Sequence, residues 1–163
     1  MSKSRRALTH RLGRPLIVVP LGLLCLAAAD PPKPSAPARV AVPAAPAVTA
    51  EIARLVETAR QRFEARDAAG VLAHVSEQYR SAGFTKAAVR QQILAMFGLY
   101  QEMRARVRLD AVEVVDGATW LYTTGELSGR LPLMGWMTVL TWQREPEVVR
   151  REGTDLRLFG FQD

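Results

Sequence analysis

Few side chains in this sequence are equipped for proton or electron-pair chemistry: two histidines (His10 and His74), three tyrosines (Tyr79, Tyr100 and Tyr122), one cysteine (Cys25) and the carboxylates. Asp110 stands out by position. Met103, Ala105, Val107 and Leu109 fall on one parity with Arg104, Arg106 and Arg108 on the other, yet by Val112 and Val114 the apolar parity has changed. A one-residue bulge at Asp110 or Ala111 explains the slip, because a single extra residue restores the facing of a strand. Turned inward, Asp110 is a carboxylate among apolar walls with a raised pKa, as a proton-transfer site needs; turned outward, it is a surface residue. His74, close to Asp67, reads either as a general base or as a partly exposed histidine on a short helix.

Other chemistries find little support. Histidine and cysteine spacing supplies no metal signature. No glycine-rich phosphate loop and no nucleophile elbow occurs, and a serine triad would rest on His74 alone. No cofactor is implied. The aromatic residues Tyr100, Trp120, Tyr122, Trp136 and Trp142 are candidates for lining a pocket for a small apolar molecule. Strand alternation would put Trp120 with Tyr122, and Trp136 with Trp142, on common faces. The same side chains could instead fill a core or cover a sheet-to-sheet dimer surface. The apolar loop Leu131–Trp136 suits a lid or a partner contact.

The elements that must position these groups come in a clear order. A helix begins near Thr49, read as its cap, and carries Ile52, Leu55, Val56, Ala59 and Phe63 on one face. Asp67 caps a short helix with Val71, Leu72 and Val75 inward. Ser76 to Phe84 reads as a loop. Thr85 caps a third helix that ends near Tyr100, with Val89, Ile93, Met96 and Phe97 buried. A long hairpin, Met103 to Ser128, turns at Asp116-Gly117. Trp136 to Arg144 has no polar parity and reads as a central strand. The remainder of the chain divides at one of two turns, Glu145-Pro146-Glu147 or Glu152-Gly153; the first is favoured, with a bulge at Gly153. Helices first and antiparallel strands after give an α+β fold: three N-terminal helices packed on one face of a strongly curved antiparallel sheet.

Ahead of this domain, residues 1–29 read as an export signal. A basic start with Lys3, Arg5, Arg6, Arg11 and Arg14 precedes an apolar run and Ala27-Ala28-Ala29. The run is shorter than the roughly 20 residues that span a bilayer, so cleavage after Ala29 is expected, with an uncleaved anchor as the alternative. Ser4–Leu8 partly fits a twin-arginine motif, and Cys25 loosely fits an acylation site. Residues 30–47, rich in proline and alanine, read as a polyproline linker. The net charge of +6 belongs almost wholly to the leader, since the rest carries 17 basic against 16 acidic residues. That balance gives no footprint for nucleic acid. The row Arg104, Arg106, Arg108 reads as a solvated sheet face.

From Val48 to Phe161 the chain resembles the nuclear transport factor 2-like, or SnoaL-like, superfamily. The resemblance rests on the order of elements and on three features: Phe63–Asp67 followed by Val71–Val75, Tyr79 followed by the Thr85–Leu94 helix, and the hairpin at Asp116-Gly117. It implies a cone-shaped α+β barrel over residues 48–163 with a pocket at its open end. The superfamily holds isomerases, dehydratases, cyclases, transport adaptors and plain binding domains, so it hardly constrains the chemistry. Its isomerases pair a pocket carboxylate with a tyrosine and a second acid, which would recruit Asp110 with Tyr122, Tyr100 or Tyr79. No second acid is evidently inward. The expected protein is therefore an exported, periplasmic, non-catalytic binding or dimerising module for a small apolar molecule, with a homodimer through the sheet. The alternatives are a small isomerase or cyclase, and a structural subunit tethered to the membrane by its leader.

Overall fold

The computed structural model describes residues 40–161. The elements run β1 (Ala41–Pro43), α1 (Pro46–Glu64), α2 (Ala68–Leu72), β2 (Arg80–Ser81), β3 (Phe84–Thr85), α3 (Lys86–Leu99), β4 (Glu102–Val115), β5 (Ala118–Leu131), β6 (Gly135–Glu152) and β7 (Asp155–Leu158). Helices lie on one face of a five-stranded antiparallel sheet ordered β1-β4-β5-β6-β7, with β2 and β3 forming a separate two-stranded sheet. The α+β fold is as the element order predicts, but the barrel does not close. Its edge strands β1 and β7 do not pair with each other, and each covers only one end of its neighbour, β4 or β6. The export signal expected over residues 1–29 lies outside the described residues.

The end of the expected linker is structured instead. Ala41–Pro43 pairs with Val115–Glu113 of β4, and α1 starts at Pro46, not near Thr49. Proline at the first helical position has no amide hydrogen to leave unsatisfied and its φ already suits the helix. Thr49 therefore sits inside the first turn, its hydroxyl donating back to the Ala45 carbonyl at 3.3 Å. Asp67 and Thr85 cap α2 and α3 as expected, accepting from the amides of Gly70 and Ala88. Segment 76–84, expected as loop, contains most of the β2–β3 hairpin.

Two clusters form the core between helices and sheet. One joins Phe63 of α1, Leu72, Ile93, Phe97, Tyr100, Met103 and Ala105. The other joins Ile52 to Val112, Leu121 and Val149. Phe63 and Phe97 meet with ring centroids 5.3 Å apart. The guanidinium of Arg66 donates to the carbonyls of Phe97, Tyr100 and Gln101, satisfying the orphan acceptors at the end of α3. Glu64 accepts from the Ala105 amide at 2.9 Å, so α1 covers a donor on the otherwise open edge of β4.

The β4–β5 hairpin turns at Asp116-Gly117, both with positive φ (51° and 79°), the signature of a two-residue turn that follows strand twist. The register shifts between Leu109 and Ala111, which makes Asp110 the extra residue. Two further shifts fall on β6, at Val139 and at Gln143-Arg144, where Arg144 takes φ 48°. No turn occurs at Glu145–Glu147. Strand β6 runs straight through Pro146 and turns at Gly153, where φ is 64°. Before Val149 its outer side has no partner strand among the described residues, which is where a strand admits proline. The stretch Trp136–Arg144 is thus an edge and largely exposed, not the central strand its composition suggested.

Candidate functional site

The register decides which side chains face the helices. On β5, Leu121, Thr123, Gly125 and Leu127 point toward α1, while Trp120, Tyr122, Thr124 and Glu126 point to the outer face. Between α1 and the inward face lies a cleft of about 560 Å³. Its walls are mostly apolar, with Leu55, Val56 and Phe63 from α1 and Leu121, Leu127, Leu140 and Trp142 from the sheet. Leu140 is 46% exposed and stands at the accessible side. The indole of Trp142 donates to Thr123 Oγ1 at 3.0 Å. It lies close enough to the strand that a Cβ at Gly125 would stand 2.3 Å from its ring, so only glycine admits this wall of the cleft.

One end of the cleft is polar. Glu145 and Glu147 both line it, because the second β6 shift puts them opposite Thr123 and Leu121. The Tyr79 phenol donates to Glu147 Oε1 at 3.0 Å. Glu147 Oε2 is buried with no hydrogen-bond partner among the described residues. Burial, aided by the neighbouring charge of Glu145 and opposed by the Tyr79 hydrogen bond, pushes the Glu147 carboxyl up to about 7. Burial and the Glu147 charge in turn raise the Tyr79 phenol above its usual value. Tyr79 is held there by main-chain bonds between segment 74–80 and the end of the chain. Ser76 N donates to Leu158 O at 2.9 Å and Arg80 N to Phe159 O at 3.1 Å.

The site residues expected from the sequence are scattered. Asp110 bulges to the outer face, where Thr124 Oγ1 donates to it at 2.5 Å and Arg108 Nε at 2.7 Å. These hydrogen bonds, Thr124 first, lower its pKa, the opposite of the raised value an inward carboxylate would have. Tyr122 also faces outward, under the Arg144 guanidinium at 4.7 Å. His74 borders a separate depression of about 410 Å³ with Arg54, Asp155 and Arg157. Burial first, then the charge of Arg62, lowers its pKa. Tyr100 is a core residue. Trp120 packs edge-on against Phe161 at 5.4 Å, and with Tyr122 it borders an outer depression of about 310 Å³. Trp136 stacks outside under Arg104 at 3.9 Å. The Val139 shift therefore sends Trp136 and Trp142 to opposite faces, and of the five aromatics Trp142 lines the cleft. Arg104, Arg106 and Arg108 are exposed on the outer face.

Glu147 was missed because glutamates flanking a proline read as a turn. The pattern carried no signal for its facing, since Gln143-Arg144-Glu145-Pro146 before it break the alternation and two register shifts precede it. No group of three or more metal-ligating side chains gathers among the described residues, and no described helix is long and apolar enough to cross a membrane.

No protein-family model and no curated protein sequence matches the chain. Solved structures do. The chain is similar to Aln2 from a Streptomyces species at 15% identity and TM-score 0.60, over 73% of this chain and 90% of that one. It is similar to an NTF2-like protein of unknown function from Pseudomonas putida at 17% identity and TM-score 0.55, over 71% and 84%. A scytalone dehydratase-like protein from Novosphingobium aromaticivorans is similar at 8% identity and TM-score 0.52, over 70% and 80%. Likeness at these identities establishes the fold and leaves the chemistry to the side chains.

Proposed function

We propose that this chain, which has the nuclear transport factor 2-like fold, is an exported, non-catalytic module that binds a small, largely apolar molecule. The molecule occupies the cleft between α1 and the sheet, with its one polar group at Glu147. The observation that carries this reading is Glu147 Oε2, a buried oxygen without a partner among the described residues, at the end of an apolar cleft. A buried polar atom left unpaired costs about 1–3 kcal/mol, which a ligand hydrogen bond would recover. Titration with a neutral naphthylamine dye tests it. Saturable one-to-one binding is expected, lost when Ala59→Trp fills the cleft and retained in Asp110→Asn on the outer face. Absence of saturable binding, or equal binding by the filled variant, overturns it.

A second reading, a proton-transfer enzyme, is favoured by one observation: a carboxyl poised near 7 with a phenol on its other oxygen. Such a pKa is matched to proton transfer at neutral pH. This carboxylate–tyrosine pair replaces Asp110 and Tyr122 of the sequence-based expectation. Export and a homodimer through the outer sheet face complete the proposal. The mass of the secreted protein and its native subunit count test them.

A further inference from the structure

The chemistry of the cleft narrows the class of its ligand, an inference that rests on the binding role proposed above. The main nitrogen and phenol donors at the cleft are already engaged. The Arg60 guanidinium, reaching from α1, is held by Glu57 at 2.7 Å and Glu64 at 2.7 Å. The Tyr79 phenol is spent on Glu147 Oε1, and the Trp142 N–H on Thr123. Glu147 Oε2 is buried without a partner among the described residues, and the Glu145 carboxylate, exposed to solvent, lines the same cleft. The two acids stand two residues apart on β6 and line the same wall.

We propose that the cleft selects a protonated amine on an apolar body, the ammonium seated between Glu145 and Glu147 and the body against Leu121, Leu127, Leu140 and Trp142. A ligand carboxylate would meet two acids and no free cation. A neutral acceptor can be met only by protonated Glu147 and leaves Glu145 unused. An ammonium offers three donors to both carboxylates, and its charge-assisted bond to the buried Glu147 is the stronger of the two. Arg60, the cation lining the cleft, is paired with its own two glutamates.

The amine binds the ionised form of Glu147. Since that carboxyl sits at about 7 without ligand, binding releases a proton below neutrality. Affinity therefore weakens about tenfold per pH unit below 7 and levels above it. Calorimetry on the full-length protein with three probes of one shape, 2-naphthylmethylamine, 2-naphthalenemethanol and 2-naphthoic acid, between about pH 5.5 and 8.5 tests this. The amine is expected to bind at least about tenfold more tightly than the alcohol at pH 8, with the acid weakest, Glu147→Gln removing the amine preference and Glu145→Gln, at an exposed position, only weakening it. An alcohol that binds as tightly as the amine, or an amine affinity flat across the range, overturns the inference and leaves the binding role standing. If none of the three binds saturably, the binding role falls too. The pH profile of the unaltered protein decides the matter whether or not the variants fold.

Discussion

Replacing Glu147 with glutamine separates the charge of this residue from its shape. In the folded protein the carboxyl lies at about 7, against 4.5 in its ordinary state. Each pKa unit corresponds to about 1.4 kcal/mol, so ionising the group in place costs on the order of 3 kcal/mol. Between these two values the folded state binds a proton that the unfolded chain has released. Stability from this residue is thus fully present below about 4.5, declines as pH rises, and is flat again above about 7. Glutamine keeps the acceptor for the Tyr79 phenol and carries no proton equilibrium. Its unpaired amide adds a cost that does not vary with pH. Urea unfolding of both proteins from about pH 4.5 to 8.5 gives the difference in stability, in which other titrating groups cancel. Glu147→Gln should gain on the unaltered protein by about 3 kcal/mol as pH rises from 4.5 to about 7, and the gain should be confined to that interval. A difference that stays level within about 0.5 kcal/mol would refute the buried carboxyl, and with it the polar end of the cleft.

Tyr79→Phe deletes the hydrogen bond that the phenol donates to Glu147, so it should raise that carboxyl further and cost about 1–3 kcal/mol, more above pH 7 than below, by urea unfolding. Asp110→Asn, on the outer face, should leave dye binding unchanged in a fluorescence titration and move the thermal midpoint by no more than about 2 °C. Gly125→Ala brings a Cβ within 2.3 Å of the Trp142 ring and 2.6 Å of the Arg106 carbonyl. It should destabilise by about 1–3 kcal/mol and shift the emission of Trp142 as the indole leaves its wall.

Where local chemistry and global placement agree, the sequence was readable. Asp116-Gly117 supplies two residues that tolerate positive φ, and the flanking alternation sets the hairpin around them. Asp67 and Thr85 carry caps because short acceptor side chains satisfy helix amides wherever the helix lies. The slip at Asp110 was visible because charged arginines alternate sharply with apolar residues beside it. Its direction was not, because a bulge changes parity without stating which way the extra residue turns. On β6 both parities are apolar, so two shifts left no trace in the pattern and the faces of Trp136, Trp142, Glu145 and Glu147 could not be read. Pro46 shows the other limit: the same residue that suits a linker also suits the first turn of a helix.

The register shifts of the described sheet all lie on β4 and β6, and β5 between them alternates without a break from Ala118 to Leu131. This makes β5 the template against which its neighbours are measured, and it localises the tolerance of the chain to changes in length. Deleting one residue elsewhere in β4 would rotate every side chain beyond it, carrying Arg104, Arg106 and Arg108 into the core or Val112 out of it. Deleting Asp110 itself removes a residue that pairs with nothing on β5 and leaves Leu109, Ala111 and Val112 opposite Thr123, Tyr122 and Leu121 in regular alternation, so every side chain keeps its face. Away from the bulge, length changes that are neutral in a loop act as switches of inside for outside. The spacing of this sequence is therefore as much a part of its information as its composition.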